Sequence, residues 1–479
     1  MIQFIKLIKI ESMKRRLLLV NYLKFISVLV IFFNYILLDS FFSIIYWLFF
    51  VFVYSILIYF LSRTNPYSSF REIFNIYLST LFLFTIVGQL MTLGYKYSSG
   101  SYFSYWNDDQ YYLSIIEKNL SNIDYEHPKF GTILINSILD KFANLFNLGE
   151  PFVNMLSSNW ALAPVIVVIS YNIACNINKI NIPKKNIILG MFTQNVVYFA
   201  LLHFYRDIYA ILFFSLSLLL LSRKKYWLSV LFVIISASFR KANAAVLLLF
   251  IIFHFLINSK IIVNYFIRSW YKFVVFLFLI SLIFTSSKVQ TFVIENALST
   301  VMKAAKYKDV TDLASFTEQR KKSLYSNEGM YKGGAMFEGN LFKSIALPVI
   351  FPFIVPGNYY IDYEFKSTTK KYFSFYGVLM AICVFFLPLF LSRFCLSIID
   401  SFRSKEYEVR FIIIMLFTFL LLSSFISIVP RHYVYFIILF PTILSVPNTF
   451  NLNNRKLYLF FLTLFFFLIF SYRTIIKLI

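Results

Sequence analysis

The stretch Trp106-Asn107-Asp108-Asp109-Gln110-Tyr111-Tyr112 is a polar segment between long hydrophobic runs, and the organisation of the chain follows from where it must lie. An aspartate at the centre of a membrane helix costs roughly 2.5–3.5 kcal/mol on insertion scales, so both acids are expected outside the hydrocarbon. Asn107 can cap a helix that begins here, which places both carboxylates in its first turn, where the helix dipole favours negative charge. Two interpretations stay open: the acids only start a helix, or they belong to a site.

The composition indicates a membrane protein. Of the 479 residues, 59% are hydrophobic and 14% are charged, and the mean hydropathy of +0.73 excludes an ordinary soluble protein. Hydrophobic runs long enough to cross a bilayer recur along most of the chain, without the alternation of outer-membrane strands. We therefore predict an all-α polytopic integral membrane protein, in which residues 1–479 form a single transmembrane domain.

The positive charge sets the orientation of the predicted helices. The net charge of +23 would suit a nucleic-acid-binding protein, but the lysines and arginines fall in loops between apolar runs. Lysines and arginines in such loops set the orientation of membrane helices and contact anionic lipids. Membrane lipids and no nucleic acid are therefore expected as partners. A cationic N-terminal segment is predicted to lie in the cytoplasm, and Arg223-Lys224-Lys225 is predicted to be a cytoplasmic turn.

Alternation from that end predicts about thirteen spans, among them Phe41–Leu61, Phe74–Leu93, Phe152–Ile173, Ile208–Leu221 and Tyr226–Ser238. Two large loops are then external. Residues 94–150 hold the acidic stretch and an amphipathic segment over Phe130–Phe146, and residues 286–371 hold interfacial helices. Within the second loop, Leu341–Pro356 is apolar but interrupted by prolines, which predicts a re-entrant or interfacial segment.

This topology gathers polar residues from five separated parts of the chain at the external membrane face. Paired acids could deprotonate a hydroxyl group or hold a divalent metal ion, and arginines bind phosphate through paired hydrogen bonds. Glycosyl transfer from a polyprenyl-linked sugar phosphate requires both functions. The candidates are Asp108 and Asp109 as catalytic acids and metal ligands; Arg206, Arg240, Lys241 and Arg431 as contacts to the donor phosphate; and His127, Asp207 and His432 as supporting residues.

Simpler interpretations exist for the same residues. Arg206 and Asp207 could form a local ion pair at a helix end. Arg240-Lys241 and Arg431 could contact lipid headgroups, and His127, which precedes a proline, could be a turn residue.

Three segments resemble the C-type membrane glycosyltransferase superfamily. They are Asn107–Tyr112 with the following Glu126-His127-Pro128, Arg206-Asp207 at a helix junction, and the proline-marked Leu347–Pro352. The resemblance covers about two thirds of the chain at motif level, and it departs from the family in that the acidic loop follows a third helix rather than the first. The chain is also similar to Wzy-type O-antigen polymerases, which are equally hydrophobic and depend on external arginines.

This resemblance implies a transferase or repeat-unit polymerase in a bacterial inner membrane. Its active site would face the periplasm, its donor would be a sugar on undecaprenyl phosphate or pyrophosphate, and its acceptor would be a glycan. The alternative is a flippase or other transporter of lipid-linked oligosaccharide. Transporters place charges within their spans and often have two similar halves, whereas the charges here collect at one face and no halves repeat.

The topology predicts which positions react with an impermeant thiol reagent. Single cysteines at Asp108, Arg206, Arg240 and Arg431 should be labelled in cells with an opened outer membrane, because the charge bias of the short loops places them outside. A cysteine at Arg223 should stay unlabelled, and its labelling would overturn the predicted orientation.

Overall fold

A computed structural model of the chain describes residues 42–63, 65–99, 130–145, 151–182, 205–239, 360–365 and 368–373, with single helical positions at 187 and within 247–254, 388–396 and 459–464. Apart from one two-stranded hairpin and the turns at 65–69, 179–182 and 223–225, these residues are helical. The elements are α1 (Phe42–Arg63), α2 (Phe70–Ser99), α3 (Phe130–Leu145), α4 (Pro151–Asn178), α5 (Tyr205–Ser222), α6 (Tyr226–Phe239), β1 (Tyr360–Phe365) and β2 (Thr368–Phe373).

Three of these helices are long and apolar enough to cross a membrane: α1, α2 and α4, over Tyr46–Arg63, Phe70–Leu90 and Ser158–Asn178. Two shorter apolar helices, α5 and α6, follow them in the chain. Exposed aromatic side chains such as Phe52 and Phe60 project from α1, as expected for a surface in contact with lipid. The predicted span before α1, the re-entrant segment, and most residues of the predicted spans between α4 and α5 and after α6 lie outside the described residues.

The predicted helices begin and end within six residues of the observed ones, and the early start of α2 has a local cause. We predicted the third span from Phe74, whereas α2 begins at Phe70. Ser69 and Glu72 form a capping box: the Glu72 amide donates to Ser69 Oγ at 3.3 Å, and the Ser69 amide donates to Glu72 Oε2 at 3.2 Å. These bonds satisfy amides that the first turn would leave unpaired, so the helix starts one turn earlier.

The hairpin is an element that the prediction of interfacial helices in residues 286–371 did not include. β1 and β2 pair antiparallel with Tyr360 opposite Phe373 and Phe365 opposite Thr368. β1 has three aromatic residues, and β2 has two threonines and two aromatic residues; both residue types favour extended backbone. Only two residues separate the strands, the spacing of a tight hairpin.

The chain divides into two compact units. The described part of unit 1 comprises α1, α2, α3, α4 as far as Val168, α5 as far as Leu212 and the end of α6. In unit 1, Phe142 of α3 packs against the rings of Tyr46, Phe49 and Phe50 in α1. In unit 2, α5 and α6 are joined by a buried serine pair, Ser217 and Ser229, whose hydroxyl oxygens lie 2.9 Å apart.

Two glycines in unit 1 allow close packing between helices. A β-carbon at Gly88 of α2 would meet the indole of Trp160 in α4, and one at Gly131 of α3 would meet Ser238 and Phe239 in α6. Small residues let membrane helices approach closely enough for van der Waals packing, which drives their association in lipid.

Gly88→Ala is expected to destabilise the protein. The added methyl group overpacks the contact with Trp160 at about 1–3 kcal/mol, more than the roughly 0.5–1 kcal/mol that alanine gains over glycine within a helix. Thermal unfolding in detergent should show a lower midpoint. Ser79→Ala, at an exposed position of the same helix, should leave the midpoint unchanged. If Gly88→Ala matches this control, the close contact is not a determinant of stability.

Candidate functional site

Helix α3 buries a stripe of polar residues together with apolar ones. Thr132, Asn136 and Asp140 follow one another at four-residue steps, so they form one stripe along the helix. All three are buried, as are Ile133, Leu139 and Ala143, whereas the exposed residues are Ile138, Lys141, Asn144 and Leu145. The buried side of α3 is therefore mixed, with polar groups among apolar ones. Such groups need hydrogen-bond partners in the interior, because burying an unpaired polar group is costly.

The polar stripe has hydrogen-bonding groups that the described part of the chain leaves unused. Asn136 donates through Nδ2 to the backbone oxygen of Thr132 at 2.9 Å. Its Oδ1, the hydroxyl of Thr132 and the hydroxyl of the adjacent Ser137 have no partner there. A buried polar group without a hydrogen bond costs about 1–3 kcal/mol. Three such groups on one helix therefore suit a place that holds water or a polar ligand.

Asp140 brings a carboxyl group into this interior. Only 4% of the residue is exposed, and its Oδ2 accepts a hydrogen bond from Asn144 Nδ2 at 3.2 Å. Burial raises the pKa of the carboxyl above its ordinary value of 3.8, and the bond from Asn144 opposes that shift. Burial favours the neutral acid because the charged form loses its hydration.

Two tyrosines and a serine connect Asp140 to other helices of unit 1. The phenol of Tyr46 in α1 interacts electrostatically with both Asp140 and Tyr209, and it donates a 3.4 Å hydrogen bond to the backbone oxygen of Leu139. Tyr209 of α5 is hydrogen-bonded to Ser158 of α4. We call Tyr46, Asn136, Asp140, Ser158 and Tyr209 the unit 1 polar cluster; each is at least 95% buried.

Asn159 of α4 is a further buried polar residue of unit 1, next to Ser158 in the chain. It is 1% exposed, and neither its Oδ1 nor its Nδ2 has a partner within the described residues. An amide has two donor hydrogens and an acceptor oxygen, so an unpaired buried amide can bind either kind of group. Together with the α3 stripe, it gives unit 1 uncharged hydrogen-bonding groups as well as a carboxyl.

The predicted site residues are placed only in part. Arg206 and Asp207, predicted to precede a helix that starts at Ile208, are the second and third residues of α5. The other predicted residues lie outside the described part of the chain: Asp108, Asp109, His127, Arg240, Lys241, Arg431 and His432. Among the described residues no group of three or more His, Cys, Asp or Glu could hold a metal ion. The divalent ion considered for Asp108 and Asp109 therefore stays a prediction.

Sequence reasoning missed the unit 1 polar cluster, although one signal for it was present. The amphipathic segment Phe130–Phe146 was recognised, but a polar face is ordinarily assigned to water. The four-residue spacing of Thr132, Asn136 and Asp140 marks the stripe, and only the fold reveals that it faces inward.

No family model, no curated protein and no solved structure matches this chain.

Asp140→Asn is expected to stabilise the protein at neutral pH. At a pH between the pKa of the unfolded chain and the raised pKa of the folded protein, the folded state holds the proton more fully than the unfolded state does. The free energy of unfolding therefore falls as the pH rises from 3.8 through the raised value. Asparagine does not titrate, so it abolishes this loss of stability. The excess stability of Asp140→Asn over the wild type should therefore be largest at neutral pH and should shrink in acid.

Thermal unfolding in detergent across acidic to neutral pH measures the difference. Asn144→Leu is the matched comparison, because it removes the hydrogen bond that lowers the pKa of Asp140. In this variant the free energy of unfolding should fall with pH over a wider range than in the wild type. A difference between wild type and Asp140→Asn that is the same at every pH would show that the carboxyl does not titrate with folding.

Proposed function

We propose that the chain catalyses glycosyl transfer at the external membrane face, from a sugar carried on a polyprenyl phosphate or pyrophosphate to a glycan acceptor. The observation that carries the proposal is the buried polar stripe of α3, which places a carboxyl, an amide and hydroxyl groups among apolar residues of unit 1. Sugars offer many hydroxyl groups, each a donor and an acceptor. Uncharged polar side chains and a carboxylate are therefore suitable partners for them.

The position of Arg206 supports the same reaction. Arg206 lies three residues before Tyr209 on α5, about one helical turn away. Tyr209 is part of the unit 1 polar cluster, so a predicted phosphate contact and a hydrogen-bonding interior occur on one short helix. In the proposed reaction, Arg206 stabilises the negative charge that builds up on the leaving phosphate.

The acids have different proposed roles. Asp108 or Asp109 removes the proton from the attacking hydroxyl group of the acceptor, which then forms the new bond to the anomeric carbon while the lipid phosphate leaves. Asp140 binds substrate hydroxyl groups instead, because it is buried on the same helical stripe as the unpaired polar groups of Thr132 and Asn136.

The test is an in vitro assay with the lipid-linked oligosaccharide fraction extracted from cells that lack the gene. Purified wild-type protein should convert this fraction into a longer glycan and release the polyprenyl carrier. A transporter would instead move the fraction across a vesicle membrane without changing its covalent structure. Translocation without chemical conversion would therefore replace the proposal by the flippase alternative.

Variants of the predicted residues should separate chemistry from folding. Of Asp108→Asn and Asp109→Asn, at least one should abolish product while accumulating normally, because exposed helix-start acids contribute only about 0.3–1 kcal/mol to stability. Lysine at Arg206, Arg240 or Arg431 keeps the charge but not the paired hydrogen bonds, so activity should fall roughly tenfold to a hundredfold. Equal rates with lysine at all three positions would indicate headgroup contacts instead.

Asn136→Leu tests the observation that carries the proposal. Leucine has the branched shape of asparagine with bulkier methyl groups and leaves no unpaired amide oxygen, so the variant should stay close to the wild type in stability. Its activity should nevertheless fall at least tenfold if the stripe binds substrate. Ile138→Asn on the exposed face of the same helix is the matched control for position along α3. Full activity of Asn136→Leu would remove the stripe from the substrate site.

A further inference from the structure

The turn between α5 and α6 in unit 2 projects two lysines from a well-defined backbone. The Lys225 amide donates to the Leu220 oxygen and the Lys224 amide to the Leu221 oxygen, each at 2.9 Å. This pattern ends α5 in a Schellman motif, with Lys224 in the left-handed conformation at a φ of 59°. Glycine usually occupies that position because a side chain is disfavoured there. The turn therefore carries a lysine where its backbone would favour glycine.

Contacts on both sides of the turn hold its geometry. Ser217 of α5 and Ser229 of α6 each donate a hydrogen bond to the backbone oxygen of the other, at 3.1 and 3.0 Å. Phe213 and Phe232 stack farther along the two helices. The Tyr226 hydroxyl lies 3.3 Å from Nδ1 of the buried His254. The start of α6 is therefore fixed relative to the lysines.

An apolar stripe runs along α6 from this turn. Trp227, Leu231 and Ile234 follow at helical spacing on one face and are 90%, 50% and 63% exposed, with Leu228 beside them. From Trp227 to Ile234 the helix rises about 10 Å. A tryptophan with its indole almost wholly exposed at one end of an apolar stripe is typical of the boundary between headgroups and hydrocarbon.

We propose that this turn and stripe bind an anionic glycerophospholipid, whose phosphate lies at Lys224 and Lys225 and whose acyl chain lies along Trp227, Leu231 and Ile234. The lysines and the stripe are continuous, so one molecule with a negative head and an apolar tail matches both. Lysine is a point-charge partner for phosphate. Each lysine near an anionic surface strengthens binding roughly fivefold. The proposal is independent of the glycosyl transfer reaction.

A protein partner would cover the stripe differently. It would need both an apolar surface to cover the exposed Trp227 and acidic groups to pair with the two lysines. A single lipid molecule supplies an acyl chain for the tryptophan and a negative headgroup for the lysines. The polyprenyl phosphate carrier has similar chemistry, but the predicted topology places Arg223-Lys224-Lys225 on the cytoplasmic side, away from the external site. A glycerophospholipid is therefore the occupant to which we commit.

The test measures quenching of tryptophan fluorescence by brominated lipids. The full chain is reconstituted into phosphatidylcholine vesicles containing phosphatidylglycerol, with bromine on the acyl chains of one lipid or of the other. The difference between wild type and Trp227→Phe isolates the signal of Trp227 from the other tryptophans. We expect brominated phosphatidylglycerol to quench this signal several-fold more than an equal amount of brominated phosphatidylcholine.

The double variant Lys224→Gly/Lys225→Gln should lose this preference while keeping the quenching by phosphatidylcholine. Glycine fits the left-handed position, so the hairpin should stay folded and the loss can be assigned to the missing cations. Lys141→Gln, which removes an exposed lysine from α3 in unit 1, should retain the preference. High salt should weaken the preference in the wild type, because the pairing is electrostatic.

Three results would overturn the proposal. Equal quenching by the two lipids would show no selectivity for the anionic headgroup. A Trp227 signal that neither lipid quenches would show that the stripe does not contact acyl chains. Displacement of brominated phosphatidylglycerol by undecaprenyl phosphate at a near-equimolar ratio to protein would assign the site to the polyprenyl carrier.

Discussion

The cost of leaving polar groups unpaired in an apolar interior is the constraint on which the described structure depends. Asn136 and Asp140 are buried on α3 among apolar residues such as Ile133 and Leu139. Water would hydrate these polar groups if they were exposed, so their burial must be offset by partners in the interior. The exposed Ile138 and Leu145 can lie in lipid, because hydrocarbon solvates apolar side chains as a protein core does. The polar groups then face inward, where side chains, water or a substrate can satisfy them.

Packing around this interior uses small residues and aromatic rings. The absence of a side chain at Gly88 and Gly131 lets neighbouring helices approach Trp160 and Phe239 closely. Phe142 lies on the same helix as Asp140 and packs against three rings of α1, which fixes the orientation of the polar stripe. The helix that carries the candidate binding groups is therefore held by apolar contacts, while its hydrogen-bonding groups stay available.

The two proposed sites use different chemistry. The unit 1 polar cluster is buried and mostly uncharged, which suits hydroxyl groups that must be oriented by hydrogen bonds. The turn between α5 and α6 is exposed, cationic and flanked by an apolar stripe, which suits an amphiphile held at an interface. Helix α5 has Arg206 in its first turn and ends at Ser222, next to the cationic turn.

The sequence by itself determined the membrane class, the helical character and the approximate limits of the described helices, because hydrophobic run length and periodicity are local properties. It predicted helix over Phe130–Phe146 and Tyr226–Ser238, and α3 and α6 cover nearly the same residues. The start of α2 was missed because the Ser69–Glu72 capping box was not recognised. Only the tertiary structure decided that the polar face of α3 points inward and that Tyr46, Asp140 and Tyr209 lie close together. These residues come from three helices far apart in the chain, and which face of an amphipathic helix is buried depends on what surrounds it.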